Sequence, residues 1–401
     1  MIKNKIFSIF KKITNKEIRN LKFIFLSFIF FLVDLVFPKK KNLIVFAQKN
    51  RLYSDNSRAF FEYLINNQKN FTPVWLADDL ISKNKIKKIN HNANVKITNS
   101  LDGLLCLLNA KTVVTSNSLH DFFPYFHPSF RKESIQLWHG IKWSKHFEYP
   151  NNNFTKELTI ICSSSEDHKK LIYQQNLLDE KKVYITGLPR NDQFFIKDQK
   201  KKSELSDLID LTKKIILYAP THKEDVNANF FPFKDLNLNN LNEFLKENKM
   251  IIYLRPHIND TNKNQELWES FLSTVKSNYI LPLTFKELED INSLLPFVKT
   301  LITDYSTIYT DALLLNIPTL FVPYDLDNYK KKRGLVYKFD EVAVGPKIYN
   351  QYQLISELEN INKKPEHYVD LQSSVKRRFH KYNDGDSSNR ILKILKERIN
   401  S

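Results

Sequence analysis

Glycine is nearly missing from this chain: there are six in 401 residues, at positions 103, 140, 187, 334, 345 and 385. No glycine-rich phosphate loop can be built from so few. Neither a Walker A sequence nor GxGxxG occurs, and the GxSxG elbow of a serine hydrolase is absent too. Cysteine is scarcer still. Cys106 and Cys162 both sit in apolar runs, which excludes a disulfide framework and zinc spacing and fits a reducing compartment. No other residues have metal-ligand spacing, so no metal is expected. Long apolar runs are lacking as well. The stretch 21–37 is broken by Lys22, Ser27 and Asp34 and falls short of the roughly 20 residues that span a bilayer.

Positive charge is abundant. Lys and Arg number 61 against 44 Asp and Glu, a formal +17, which suggests polyanionic partners: nucleic acid, an anionic membrane surface or phosphate-rich substrates. Ten of those cations lie in residues 1–41, opposed only by Glu17 and Asp34. There Ile2, Ile6, Ile9, Phe10 and Ile13 recur at helical spacing among lysines, which predicts a basic amphipathic helix on an anionic membrane. Basic residues flank the apolar stretch on both sides, ending in Lys39-Lys40-Lys41. The positive-inside rule therefore favours a peripheral, monotopic or re-entrant anchor over residues 1–41 at the cytoplasmic face. A helix packed on the protein's own core is the alternative. No small-residue cleavage site follows, which argues against a removed signal peptide.

At 42% hydrophobic and 26% charged residues, the rest reads as ordinary globular protein, long enough for two domains. Short apolar runs recur at 42–47, 73–77, 95–98, 112–116, 134–138, 158–162 and 183–187. After a polar stretch at 197–207 they resume at 215–219, 250–254, 279–283, 300–303 and 319–323. Segments with helical spacing lie between them, such as 56–66 and 100–109. The alternation predicts an α/β fold with two doubly wound, Rossmann-like domains, 42–200 and 201–401, and ligands at the carboxyl ends of their strands.

Polar clusters fall at those ends. His139 and Gly140 follow the run 134–138; a histidine with a pKa near 6.5 suits proton removal from a hydroxyl, and glycine lets a ligand approach the backbone. Arg255 and His257 close the run 250–254 and can donate hydrogen bonds to phosphate. Thr303, Asp304, Ser306 and Thr307 lead from a strand into a helix carrying Ile308, Ala312 and Leu315. Ser306 or Thr307 is expected to cap that helix, and the hydroxyls and N–H groups together to receive an anion. Asp384, Gly385, Ser387 and Ser388 mark one more helix start, with capping or phosphate binding as its two readings.

Eight segments in order resemble the CDP-glycerol glycerophosphotransferase family, the teichoic acid primases and polymerases: YSDNSRA (53–59), LWHG (137–140), GLPRND (187–192), YAPTHKED (218–225), LRPH (254–257), TDYSTIYTD (303–311), PYDLDNYKKKRG (323–334) and DGDSS (384–388). The resemblance covers most of residues 42–395. It implies a GT-B fold with an interdomain cleft, moving glycerol phosphate or ribitol phosphate from a CDP-alditol to an acceptor hydroxyl. His139 matches the family's catalytic histidine and His257 its second essential histidine. Arg255, His257, Thr303, Ser306 and Thr307 would surround the pyrophosphate, with Gly385, Ser387 and Ser388 also on the donor side. Asp55, Gly140, Arg190 and Asp192 would serve the acceptor side or support it, and Asp55 and Asp304 would be orienting carboxylates. No cofactor beyond the donor and no nucleic acid partner is implied; the acceptor would be a lipid-linked glycan or growing polymer. Ser57 stands where the family has Pro, and Ile141, Trp143 and His146 depart from its pattern on the expected acceptor side. A nucleotide-sugar glycosyltransferase of the same fold and a non-catalytic polyanion-binding protein are the other readings.

Overall fold

A computed structural model describes residues 15–48, 52–122, 126–141, 143, 157–176, 178–196, 205–221, 230–257 and 265–400. His146 and the amphipathic stretch 2–13 lie outside them. Two parallel sheets organise the chain. β1 (Lys40–Ala47), β2 (Thr72–Ala77), β3 (Val95–Ile97), β4 (Ala110–Thr115), β5 (Glu133–Gln136), β6 (Ile160–Ser163) and β7 (Val183–Ile185) pair in the order β3-β2-β1-β4-β5-β6-β7. β8 (Lys214–Tyr218), β9 (Met250–Leu254), β10 (Ile280–Pro282), β11 (Val298–Thr303) and β12 (Thr319–Phe321) pair in the order β10-β9-β8-β11-β12.

Each expected run became a strand because a parallel strand covered on both faces reads as an unbroken apolar stretch. On β1, Ile44 and Phe46 enter one core while Val45 and Ala47 enter the other. On β8, Ile215 and Leu217 alternate with Ile216 and Tyr218 in the same way. Helices fill most of the described crossovers. The helix Leu101–Asn109 starts where Ser100 accepts from the N–H of Gly103 at 3.0 Å. Gly103 is not an ordinary helix position. A Cβ there would meet the carbonyl oxygen of Ile97 at 2.1 Å, so only glycine lets this helix lie on β3.

Strand order reverses between β1 and β4 in the first sheet and between β8 and β11 in the second. At such switch points adjacent loops diverge and leave a crevice. The loops carrying Tyr53, Asp55 and Ser116 rise from the first reversal, and those carrying Thr221 and Asp304 from the second.

The boundary expected at residue 201 fails for the last helix, Ser387–Asn400. Its Ile391, Leu392, Leu395 and Ile399 lie in the first sheet's core with Phe46 and Trp75, and Arg398 donates to Glu133 on β5 at 2.7 Å. The sequence shows an amphipathic helix there but not which core its apolar face joins.

The segment read as an anchor is helical from Asn15 to Val36, and no helix among the described residues is long and apolar enough to cross a membrane. One side of it packs on the protein. Phe30 joins the first half's core, and Asp34 is fully buried against Lys39 (2.8 Å), Lys132 (3.1 Å) and the N–H and hydroxyl of Ser129 (2.9 and 2.8 Å). Burial pushes the Lys132 ammonium down to about 7. Removing one member of such a buried set typically costs about 3–5 kcal/mol, so Asp34 pins the helix firmly. The other side exposes Phe25, Phe28, Leu32 and Val36.

Candidate active site

His139 leaves the end of β5 on a loop bent by two left-handed residues, Trp138 (φ 63°) and Gly140 (φ 120°). Such a conformation costs a non-glycine residue about 1–2 kcal/mol, and here several contacts hold it. Asn56 donates from Nδ2 to the carbonyl of Trp138 at 2.9 Å, while its Oδ1 accepts from the N–H of Arg190 at 3.0 Å. The Trp138 ring stacks on the His139 ring, with centroids 5.8 Å apart. Behind it lies buried His168, whose Nδ1 accepts from the N–H of Ser164. Burial above all, with the Arg190 cation a lesser cause, lowers His168 to about 3, so it stays neutral and serves as packing.

The His139 imidazole is half-buried, and its Nδ1 lies 3.3 Å from the carbonyl oxygen of Ser116. A carbonyl can only accept, so Nδ1 carries the proton and the lone pair is on Nε2. Ser116 is itself fixed: its hydroxyl oxygen accepts from the N–H of Ser57 at 2.9 Å and pairs with the Ser57 hydroxyl at 2.8 Å. A proline at 57 could not make the first bond. The departure at Ser57 is therefore structural and holds the residue that orients His139.

Gly140 lies where the two halves meet. A Cβ on it would stand 3.0 Å from Arg190 Nη2 and 3.7 Å from Thr307 Oγ1, and a positive φ already favours glycine there. Beyond it the loop enters the second half. Ile141 and Trp143 are buried in that half's core, Trp143 against Tyr309, Phe321 and Phe339, and the Trp143 carbonyl accepts from the N–H of Val336 at 2.7 Å. These two residues do not form the acceptor side that the sequence suggested; they fasten the histidine loop to the opposite half.

Several expected phosphate ligands turn out to be braces. The Thr303 hydroxyl donates to the carbonyl of Ala219 at 2.7 Å, and Asp304 Oδ1 accepts from the N–H groups of Thr221 and Tyr305. Both tie β11 to the loop after β8. Arg255 is buried under Phe285 and gives its N–H groups to the carbonyls of Leu283, Leu288 and Glu289, shaping the loop 283–289; burial lowers its pKa to about 10. Ser387 and Ser388 are buried with Asp192, whose carboxylate accepts from both N–H groups (2.9 and 2.8 Å) and from the Ser388 hydroxyl (2.7 Å). Gly385 precedes them, and a Cβ on it would crowd Phe195. This second cluster thus already holds an anion of its own.

Ser306 and Thr307 differ. Both are half-buried, and Thr307 begins the helix Ile308–Leu314 without the capping bond expected of its side chain. His257 stands exposed past the end of β9. Asp55 takes Arg190 Nη1 at 2.8 Å, and Asp311 takes Nη2 at 2.7 Å. Sequence reading missed Asp311, though a carboxylate in so apolar a helix (IYTDALL) was a usable signal. Burial raises its pKa, with Arg190 opposing the shift.

A cleft of about 680 Å³ opens between the halves, lined by Arg58, Glu62, Tyr63, Lys286, Glu289 and Asp192. Neither His139 nor Ser306 lines it. Among the described residues no group of His, Cys, Asp and Glu is placed to hold a metal ion.

Two parallel-sheet α/β halves thus meet at Gly140 and Thr307, with His139 on the loop that passes between them. The chain belongs to the CDP-glycerol:poly(glycerophosphate) glycerophosphotransferase family, whose model matches residues 29–397. It is 28% identical to a teichoic acid poly(ribitol-phosphate) polymerase of Bacillus spizizenii, matching over 95% of this chain and 60% of that protein. It is 27% identical to a teichoic acid glycerol-phosphate transferase of Staphylococcus aureus over 88% of this chain and 93% of that protein. Identity with a teichoic acid poly(glycerol phosphate) polymerase of Bacillus spizizenii is 28%, over 92% and 95%. The fold is similar to that of the wall teichoic acid polymerase TagF, with a TM-score of 0.75 at 24% identity over 92% of each chain.

Proposed function

We propose that this chain transfers glycerol phosphate from CDP-glycerol, or ribitol phosphate from CDP-ribitol, to a hydroxyl of a lipid-linked glycan or growing teichoic-acid-type polymer. The two sheets would form a GT-B pair, the first presenting the acceptor and the second the CDP-alditol. His139 Nε2 takes the acceptor's hydroxyl proton as the oxygen attacks the alditol-bearing phosphorus. A new P–O bond forms, the pyrophosphate P–O bond breaks, and CMP leaves. Ser306 and Thr307 hydroxyls donate to the phosphoryl oxygens, where charge must be held as the bond breaks. His257, exposed past its strand's end, would meet the departing nucleotide. No cofactor or metal is needed in this reading.

The observation that carries it is the His139 loop, with Nδ1 committed to Ser116 and Gly140 against Thr307. The exposed apolar face of the helix Asn15–Val36, with Lys40 and Lys41 exposed just beyond it, supports docking at a membrane surface where lipid-linked acceptors are reached.

CMP release from CDP-glycerol and from CDP-ribitol, with a lipid-linked disaccharide acceptor, tests the proposal. His139→Ala should lower acceptor-dependent release by about 10³-fold, within the range of a lost general base. Silence with both donors alongside turnover of a nucleotide sugar would reject it.

A further inference from the structure

The helix Ile308–Leu314 is buried along its whole length and touches the His139 loop and its supports at three successive points. Thr307, just before it, meets Gly140; Tyr309 packs edge-on against Trp143 with centroids 5.6 Å apart; Asp311 accepts from Arg190 at 2.7 Å. Arg190 belongs to the other half, on the short helix Pro189–Asp192. Its Nη1 is shared between Asp55 Oδ1 at 2.8 Å and the carbonyl oxygen of His139 at 3.1 Å. One guanidinium therefore holds the backbone of the base, a carboxylate of the first half and a carboxylate of the second. With 8% exposure and these contacts inside the protein, Arg190 is not arranged to bind an anion from solution.

We propose that Arg190 is a positioning residue of the transfer reaction, fixing His139 relative to the hydroxyls of Ser306 and Thr307. It makes the two halves present base and donor site as one unit. The proposal rests on His139 being the base. A base on one half and donor groups on the other lose effective concentration as the halves swing apart, and small misplacements are costly. A planar fork can satisfy three acceptors in fixed directions, whereas a lysine ammonium is a point charge on a flexible stem. Trp143 fastens the far side of the same loop, so the loop keeps an anchor when the fork is lost.

Arg190→Lys keeps the charge and removes the fork. It should lower kcat for CMP release by about 10- to 100-fold and leave the KM for CDP-glycerol within about twofold, with an unchanged near-ultraviolet circular dichroism spectrum. In a His139→Ala background the same change should alter the residual rate by less than about twofold, because it acts through the base. Unchanged kcat, a raised KM with kcat kept, or equal losses in both backgrounds would each overturn the proposal. Should the lysine variant fail to fold, Arg190→Met with Asp55→Asn and Asp311→Leu leaves neither carboxylate unpaired and gives the same readout; full activity there also overturns it. If His139→Ala alone leaves the rate intact, the base assignment has failed rather than the coupling.

Discussion

Ser306–Thr307 and Ser387–Ser388 look alike in the sequence. Each pair follows an aspartate closely, stands at a helix start and offers hydroxyls for an anion. In the structure they have opposite roles. Ser387 and Ser388 are closed by Asp192, nearly two hundred residues earlier in the chain, which takes three of their hydrogen bonds inside the first half. Ser306 and Thr307 receive no such carboxylate. Their nearest one in sequence, Asp304, is turned to the N–H groups of Thr221 and Tyr305, and the two hydroxyl residues stay half-buried, Thr307 beside Gly140. Whether a hydroxyl pair is a brace or a binding site depends on what another segment delivers to it, and local sequence does not carry that information.

Removing both open hydroxyls is the strongest way to test the contrast. Ser306→Ala with Thr307→Ala should lower kcat/KM for CDP-glycerol by about 10²–10³-fold, the usual consequence of losing donors aimed at developing charge. Thermal unfolding should move little, because neither residue caps its helix through a side chain. Ser388→Ala should do the reverse, leaving the rate per folded molecule within about twofold while lowering stability. Equal rate losses from the two pairs would erase the distinction.

The closed pair is best probed from its partner. Asp192→Ala strands two buried N–H groups and a hydroxyl and should cost about 3 kcal/mol, read from the urea midpoint of unfolding. The rate per folded molecule should hold. A large rate loss at unchanged stability would instead place Asp192 on the substrate.

Much of the fold was legible because the central strands are buried on both faces, so stretches such as 43–47 and 250–254 are continuous and apolar. His139 and Gly140 could be read too, since a strand end beside a rare glycine is a local signal. What failed was local chemistry with a distant destination. Arg255 has the form of a phosphate ligand, yet its fork is used on three carbonyls of the loop 283–289. Trp143 lies four residues beyond the histidine and is a core residue of the other half. The last helix shows its apolar face plainly but not which sheet it joins. Asp311 and Arg190 lie 121 positions apart, and their pairing could not be read from either motif.

The smallest effect expected is a pH dependence that reports how tightly the closed pair is sealed. Burial raises the Asp192 pKa even though the Ser387 and Ser388 donors pull it down. The folded state then holds this proton more firmly than the unfolded chain does. The group's contribution to stability is complete below the ordinary carboxylate range and is lost as pH rises through the raised value. Asp192→Asn removes the titration at nearly constant shape. The stability advantage of wild type over this variant should therefore shrink as pH rises above about 4, by about 1.4 kcal/mol for each unit the pKa is raised. Urea unfolding of both proteins across that range measures it. An advantage that grew with pH would mean that the two serines hold Asp192 ionised against burial. The closed site would then be a stronger anion trap than its depth suggests.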